Sequence, residues 1–206
     1  MTIPARRRTQ EERKAESERR IIEAAVELFA TQGYVKTTLN QVGTRAGYTG
    51  GLISSRFGSK ENLLRVVLKV VSDGFLKERI STVIDPADTR GSLHRFVEMY
   101  LTDVSKKQSA VRALYVVMGE ALGAVAEVQQ EVADFNQLTR ERLAEIVAAG
   151  VSSGELGSDV NADSAAVLIL ALIRGVTMQY LSDPRRFQMP EVIASVNEMI
   201  DDHLFS

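Results

Sequence analysis

The stretch that decides the fold is residues 49–57, TGGLISSRF. Thr49 is a typical N-cap residue, and the apolar residues Leu52, Ile53 and Phe57 recur at helical spacing, so the stretch predicts a short helix. Two glycines nevertheless occupy its first turn, where each one costs a helix about 1 kcal/mol relative to alanine. The pattern therefore describes a helix that is weak where it begins.

Two interpretations account for Gly50 and Gly51. In the first, the absence of side chains allows the main chain and its free N–H groups to lie against a DNA phosphate or base edge, since a helix N-terminus already favours anions. In the second, the glycines form a loop and the helix begins at Leu52. The nine residues alone leave both interpretations open, and the flanking sequence has to decide between them.

The segments before this stretch predict two further helices. Apolar residues recur at three- and four-residue steps over about residues 20–31, and Gly33 fits a left-handed C-terminal cap at the end of this helix. Thr38 offers a hydroxyl cap for a second helix over about residues 39–46, which Gly47 ends. Two short helices joined by a glycine-containing turn of three or four residues form the helix-turn-helix pattern.

The rest of the chain also predicts helices only. Glycine, Asp-Pro and proline breakers separate the apolar-periodic segments, and the sequence contains no alternating Val/Ile/Thr run bounded by turns. The expected helices cover about residues 60–79, 90–105, 109–123, 125–150, 161–182 and 190–204. We therefore expect an all-α fold of about nine helices.

The charge of the chain is distributed unevenly. The net charge of its 206 residues is -2, but residues 1–60 contain eleven Lys or Arg and six Glu, a balance of +5 that leaves -7 for the remainder. A basic first part on an acidic chain indicates that only this part meets a polyanion. Arg6, Arg7 and Arg8 form a cationic cluster, and N-terminal arms of this kind in other helix-turn-helix proteins enter a minor groove. The mixed segment 11–20 also fits an exposed charged helix without a partner.

Composition disfavours several classes of protein. The chain has no cysteine, which excludes disulfides and thiolate chemistry and fits a cytoplasmic protein. Its two histidines, His94 and His203, are far apart, and the sequence lacks the Glu-x-x-His pair of a di-metal bundle. The charged N-terminus has no apolar segment typical of a secretory signal, and the longest apolar run, residues 165–173, is too short to span a bilayer. We therefore expect no catalytic residue, no metal site, no cofactor and no membrane partner.

Over residues 20–64 the sequence resembles the TetR family of transcriptional regulators. The residues that carry the resemblance are Phe29, Gly33, Tyr34, Thr37, Thr38, Val42, Ala46, Gly47, Thr49, Gly51, Ile53, Phe57, Gly58, Ser59, Lys60, Glu61, Leu63 and Leu64. Residues 150–187, from GVSSGEL to SDPRRF, also resemble the C-terminal part of that family. The sequence departs from the family at Ser54, Ser55 and Arg56, where aromatic phosphate-binding residues are common. A helical ligand carrier without DNA function is the rival interpretation, but it leaves the motif unexplained.

The resemblance implies three regions. These are a basic arm over residues 1–18, a helix-turn-helix DNA-binding domain over 19–64, and a ligand-binding and dimerisation domain over 65–206. It implies a repressor that a small-molecule effector releases from a palindromic operator in double-stranded DNA. With the three departing residues included, the expected DNA-binding residues are Thr38, Thr49, Gly50, Gly51, Ser54, Ser55, Arg56 and Lys60. Thr38 and Lys60 are expected to bind phosphates, which set register, and the others to contact bases or phosphates.

The resemblance also implies an effector pocket and a homodimer. Soft and aromatic side chains in the middle helices favour an apolar or aromatic effector, although ordinary core packing is the alternative for each residue taken alone. The candidate pocket residues are Phe96, Met99, Tyr100, Tyr115, Met118, Leu122 and Phe135. The apolar helix over 161–182 and the last helix, over 190–204, are expected to form a four-helix bundle with a second subunit. The alternative is that the first of these helices is buried on all sides within one chain.

Overall fold

The computed structural model describes residues 9–73, 80–123 and 128–205. Its helices are α1 (Gln10–Lys36), α2 (Leu39–Ala46), α3 (Gly50–Phe57), α4 (Lys60–Ser72), α5 (Ile80–Val83), α6 (Thr89–Lys106), α7 (Gln108–Ala121), α8 (Gln129–Ser153), α9 (Ala162–Ser182), a 3-10 helix (Pro184–Arg186) and α10 (Met189–Leu204). The described ranges contain no strand, and the all-α prediction is confirmed.

Most predicted helix boundaries agree with the structure within a few residues. The single-turn helix α5 was not predicted. The helix expected over 60–79 is described as far as Ser72, and its remaining predicted part, with Phe75, falls largely in residues 74–79, outside the described residues. The start of the helix expected over 125–150 also lies outside the described residues.

Helix α1 begins ten residues before the predicted start at Arg20. Thr9 is its N-cap: Oγ1 of Thr9 accepts the N–H of Glu12 at 3.1 Å, and Oε2 of Glu12 accepts the N–H of Thr9 at 2.8 Å. This capping box satisfies amide groups that a helix N-terminus otherwise leaves without acceptors. The predicted start was wrong because it followed the apolar stripe and overlooked the Thr-x-x-Glu signal. Residues 10–18, which were assigned to the arm, are helical.

Gly33 interrupts α1 near its end, with φ 84° and ψ 167°. The positive φ agrees with the prediction, but this ψ is not that of a left-handed cap, so that part of the prediction was wrong. The reason is an acceptor on α7, because the Glu120 carboxylate accepts the N–H of Tyr34 at 2.8 Å and the N–H of Val35 at 3.3 Å. The conformation of Gly33 thus turns two consecutive amide groups toward the C-terminal part of the chain.

A small apolar core fixes the first three helices. Val42 and Ala46 of α2 and Ile53 and Phe57 of α3 are buried, and Leu39 is partly buried against them. Full burial of a large apolar side chain contributes about 1.5–3 kcal/mol relative to exposure. All five belong to helices whose apolar residues recur at the helical period, which places them on the inward faces of α2 and α3.

The turn between α2 and α3 brings two backbones into direct contact. A Cβ atom on Gly43 would lie 2.9 Å from both the nitrogen of Gly50 and the carbonyl carbon of Thr49. The N–H of Tyr48 donates to the Gly43 carbonyl oxygen at 2.8 Å. Gly47, with φ 81° and ψ 31°, is the left-handed cap that ends α2. Main-chain contact therefore determines how closely α3 approaches α2.

The hydrophobic core continues from these helices into α6 to α10. Leu63 and Leu64 of α4 are fully buried in it, and Arg65 forms ion pairs with Glu61 of α4 and with Glu131 of α8. Helix α9 packs on α8, and α10 packs on α6. Helix α7 instead packs along α1, which makes it the main link between the two parts of the chain.

Replacing Gly43 with alanine should destabilise the protein by about 1–3 kcal/mol, because the added Cβ forces α2 and α3 apart. The matched control is Gly119→Ala, since residue 119 is exposed within α7 and a Cβ there meets no atom within 4 Å. Helix propensity makes the control neutral or stabilising by up to about 1 kcal/mol. Urea unfolding followed by circular dichroism measures both free energies. A Gly43→Ala protein as stable as the wild type would contradict the main-chain contact.

Candidate nucleic-acid interface and cavity

The two glycines of the first turn of α3 have different surroundings. Helix α3 begins at Gly50, and Thr49 Oγ1 accepts the N–H of Leu52 at 3.2 Å, so the loop interpretation was wrong. A Cβ on Gly50 would lie 1.7 Å from Oδ1 and 3.0 Å from Cα of Asn40, whereas a Cβ on Gly51 would meet only Thr49 Oγ1, at 3.9 Å. Gly50 is therefore required by the packing of α3 on α2, and Gly51 faces open space.

Four of the predicted DNA-binding residues carry exposed hydroxyl groups. Thr38, Thr49, Ser54 and Ser55 are all exposed. Thr38 is the N-cap of α2, where its Oγ1 accepts the N–H of Gln41 at 3.2 Å. Hydroxyl groups both donate and accept hydrogen bonds, so these side chains suit contact with phosphate oxygens or base edges.

Arg56, another predicted DNA-binding residue, is turned toward α1. Its Nη1 donates to the hydroxyl of Ser17, and it also lies 3.5 Å from the carbonyl oxygen of Lys14. The guanidinium group therefore connects helix α3 to the first half of α1. Sequence reasoning did not anticipate this contact, because α1 was expected to begin only at residue 20.

Lys60 lies at the joint between α1 and α4. Its ammonium group donates to the carbonyl oxygens of Tyr34, at 3.0 Å, and Val35, at 3.1 Å, and its Nζ lies 4.3 Å from the centroid of the Tyr34 ring. Carbonyl groups at the end of a helix have no helical donor, and Lys60 supplies one. In this structure Lys60 positions α4 on α1, and its predicted contact with a phosphate stays a prediction.

A basic cleft of about 590 Å³ lies between the first half of α1 and α3. Its charged lining residues are Arg13, Lys14, Glu16, Arg20 and Arg56. Sequence reasoning missed Arg13, Lys14 and Arg20 as site residues, because it treated them only as part of the charged segment 11–20. The capping box of Thr9 and Glu12 was the signal that places them on a helix. The predicted arm residues Arg6, Arg7 and Arg8 lie outside the described residues.

A cavity of about 720 Å³ lies between α1, α4, α6, α7 and α8. Of the seven predicted effector residues, Tyr100, Tyr115 and Phe135 line it. The other four lie elsewhere: Phe96 is fully buried, Met99 is buried, Met118 is partly buried and Leu122 is 89% exposed. The apolar lining residues that sequence reasoning did not name are Ile22, Val26, Val70, Val71, Val104, Ala110, Val111 and Leu114.

Two hydroxyl groups meet at the wall of this cavity. The hydroxyl oxygens of Tyr100 and Tyr115 are 3.2 Å apart. Burial, and to a smaller extent the adjacent Tyr100 hydroxyl, raises the pKa of Tyr115 above its ordinary value, so Tyr115 stays neutral at physiological pH. An apolar lining with a few convergent polar groups is typical of a small-molecule site.

Helix α9 leaves an apolar stripe exposed. Val167, Leu168 and Met178 are 50%, 53% and 66% exposed, and Met199 of α10 is 59% exposed. The interpretation that α9 is buried on all sides within one chain was therefore wrong. By length and composition alone, α9 (Ala162–Ser182) is also long and apolar enough to cross a membrane. The sequence analysis did not indicate this, because it considered only the apolar run 165–173. In the most apolar 18 residues of α9, 44% of the residues are buried in the protein. Its buried side packs on α8, as a core helix does.

These features define a class of protein: a helix-turn-helix regulator whose DNA-binding helices are joined to a helical part that contains a cavity. The model for bacterial regulatory proteins of the tetR family matches residues 21–67. The model for the C-terminal part of BetI-type transcriptional repressors matches residues 89–204. The chain belongs to the TetR family of transcriptional regulators.

Relatives in this family match most of the chain. The HTH-type transcriptional regulator TtgR of Pseudomonas putida is 24% identical over 206 residues, which cover 96% of this chain and 94% of that protein. The fatty acid degradation regulator FadR of Bacillus halodurans has a TM-score of 0.79 at 17% identity, over 89% of this chain and 94% of its own. A complex of SmeT, from Stenotrophomonas maltophilia, with triclosan has a TM-score of 0.76 at 20% identity, over 92% of each chain. The two solved structures support the fold.

Replacing Gly51 with alanine should preserve the fold and weaken DNA binding by about tenfold, the effect of one lost contact. The new methyl group meets only Thr49 within the protein. If this turn approaches a duplex as we expect, the methyl group would hold it away. Thermal unfolding and fluorescence anisotropy with a selected duplex measure the two effects. Gly50→Ala is the comparison, because its Cβ collides with Asn40 and should lower the unfolding temperature. Unchanged DNA affinity of Gly51→Ala would mean that this glycine does not serve DNA contact.

Proposed function

We propose that this protein is a repressor that binds a palindromic operator as a homodimer and is released by a small apolar or aromatic molecule. The observation that carries the proposal is the first turn of α3, where Gly51 faces open space and the next residue, Leu52, lines the basic cleft. The match to BetI-type transcriptional repressors favours repression over activation. Such a repressor acts in the bacterial cytoplasm and is associated with the nucleoid when bound.

On an operator, α3 would enter the major groove by its first turn. Thr49, Gly50 and Gly51 would be the leading edge, and Ser54 and Ser55 would contact bases or phosphates. The residues assigned to phosphate binding are Thr38, Arg56 and Lys60, together with Arg13, Lys14 and Arg20 of the basic cleft. Arg6, Arg7 and Arg8 would extend this surface into a minor groove. Because each neutralised phosphate releases counterions, affinity would fall steeply with salt.

The proposed domain division follows from these roles. Residues 19–64, together with residues 10–18 of α1, bind DNA, and residues 65–206 bind the effector and the second subunit. The arm is reduced to the residues before Gln10, because residues 10–18 belong to α1 and contribute Arg13 and Lys14 to the basic cleft.

The dimer would form through α9 and α10. Monomeric proteins rarely expose a contiguous apolar stripe such as Val167, Leu168 and Met178, and a two-fold interface would bury it. Ala171 and Gly175, also exposed on α9, would allow the partner helix to approach closely. Two-fold symmetry would place two recognition helices in successive major grooves, about 34–36 Å apart or a multiple of that distance.

The cavity and the proposed DNA-binding surface share two helices. Helix α4 carries Lys60 at its start and the cavity residue Val70 near its end, and α7 carries both Tyr115 and Glu120. The SmeT complex with triclosan supports a small-molecule effector for this chain as well. An effector that prefers a state with wrongly spaced recognition helices would release the operator. To move the population from 1:99 to 99:1, it must bind that state more tightly by about 5.5 kcal/mol.

Selection of bound fragments from random duplex DNA tests the proposed function. We expect a palindromic motif whose half-sites are separated by about one helical turn or a multiple of it. The recovered duplex should bind far more tightly than competitor DNA at ordinary ionic strength. Recovery of no motif, or of a motif without two-fold symmetry, would reject the proposal.

Replacing Leu168 with glutamate should convert the dimer into a monomer of 22.7 kDa, because the change places two charges in the proposed interface. Leu122→Glu is the matched control, since Leu122 is the more exposed leucine and lies just after α7, away from α9 in the sequence. Size-exclusion chromatography with light scattering gives both masses. A monomeric wild type, or a Leu168→Glu protein that stays dimeric, would contradict the assignment of the interface.

A further inference from the structure

Arg174, in the middle of α9, has guanidinium nitrogens without acceptors. Its Nε and Nη2 atoms are buried, and they lack a hydrogen-bond partner among the described residues. A buried charged donor without an acceptor is costly, and such groups in proteins are normally paired. The arrangement therefore indicates an acceptor that the described part of this chain does not supply.

The position of Arg174 connects it with the cavity. Its guanidinium carbon lies 5.9 Å from the centroid of the Phe135 ring, and Phe135 lines the cavity. Arg174 is also close enough to act on Tyr115, another lining residue. Burial is the largest influence on the pKa of Tyr115 and raises it, whereas the charge of Arg174 acts in the opposite direction. Arg174 is thus a neighbour of two lining residues, although it does not line the cavity itself.

The carboxylates that line the cavity are engaged with other cations. These ion pairs are Glu23 with Arg19 at 2.7 Å, Glu27 with Arg45 at 2.7 Å and Asp103 with Lys107 at 3.5 Å. The lining also contains the hydroxyl pair of Tyr100 and Tyr115, and Arg174 is close to Tyr115. An anion at this end of the cavity would therefore meet hydroxyl groups and a guanidinium group whose buried nitrogens lack an acceptor among the described residues.

We propose that the effector is a carboxylic acid with an apolar body, and that its carboxylate binds Arg174 between the rings of Tyr115 and Phe135. This inference rests on the proposed function and specifies the ligand of the same cavity. A planar guanidinium group matches a carboxylate in geometry and binds it through two parallel hydrogen bonds. The apolar body would fill the cavity toward Ile22 and Val26 of α1.

The second occupant that could satisfy Arg174 is an acceptor of a partner subunit, since α9 is the proposed dimer helix. The neighbours of Arg174 favour the effector, because Tyr115 and Phe135 belong to α7 and α8 and line the cavity. The exposed stripe of Val167, Leu168 and Met178 supplies apolar contacts only. Probe binding and oligomeric state, measured together, distinguish the two occupants.

Isothermal titration calorimetry with decanoate, decanol and methyl decanoate, each below its aggregation concentration, tests the inference. The three probes share an apolar body and differ at the head. We expect the full-length protein to bind decanoate at least about tenfold more tightly than decanol, as a charge-assisted hydrogen bond predicts. This ratio should fall to about one in Arg174→Met and to an intermediate value in Arg174→Lys. Arg142→Met, an exposed position on α8, is the matched control and should keep the wild-type ratio.

Each other result overturns the inference. Absence of decanoate binding, equal binding of decanol, or a wild-type ratio in Arg174→Met would show that the guanidinium group does not receive the ligand head. If Arg174→Met became monomeric by light scattering and kept the ratio, its acceptor would belong to the partner subunit. Binding of the wild-type protein to its selected duplex is measured on the same samples without probe. If the wild-type protein binds the duplex but does not prefer decanoate over decanol, only this inference is rejected. If the wild-type protein does not bind the duplex, the proposed function is rejected.

Discussion

The contact between Glu120 and the end of α1 is the interaction on which the relation between the two parts of the chain depends. It requires the backbone conformation of Gly33, and a Cβ at that position would lie 2.5 Å from Oε1 of Glu120. The same turn offers the N–H groups of Tyr34 and Val35 to this carboxylate and their carbonyl oxygens to Lys60. A single turn of main chain is thus held by an anion from α7 and a cation from α4.

This arrangement gives a physical route between cavity and DNA-binding helices. Tyr115 and Glu120 are five residues apart on α7, so a ligand that displaces the Tyr115 ring acts on the helix that holds the end of α1. The approach of α3 to α2 is set by main-chain contact at Gly43 and Gly50, so the two helices pack as one unit. Coupling of this kind needs no change within the helix-turn-helix. It needs only a change in the orientation of α2 and α3 relative to the rest of the chain.

Local signals in the sequence predicted most of the helices, the caps of α2 and α3 and the small core, because capping and helical periodicity act over three or four residues. The long-range contacts were not predictable in this way. Glu120 is 86 residues from Tyr34, and Gly43 acquires its role only when α3 approaches α2. Leu122 was assigned to the pocket by residue type alone, and it lies beyond the end of α7, where the helix no longer faces the cavity.

The most direct test is a measurement of the distance between the two copies of α3 in the proposed dimer. The chain has no native cysteine, so Ser55→Cys provides a single spin label on the exposed side of α3 in each subunit. We expect one narrow distance distribution by pulsed dipolar spectroscopy, and a broader one after Glu120→Gln, which removes the charge and leaves one acceptor for two amide groups. Identical narrow distributions for both proteins would contradict the claim that Glu120 holds the DNA-binding helices in place.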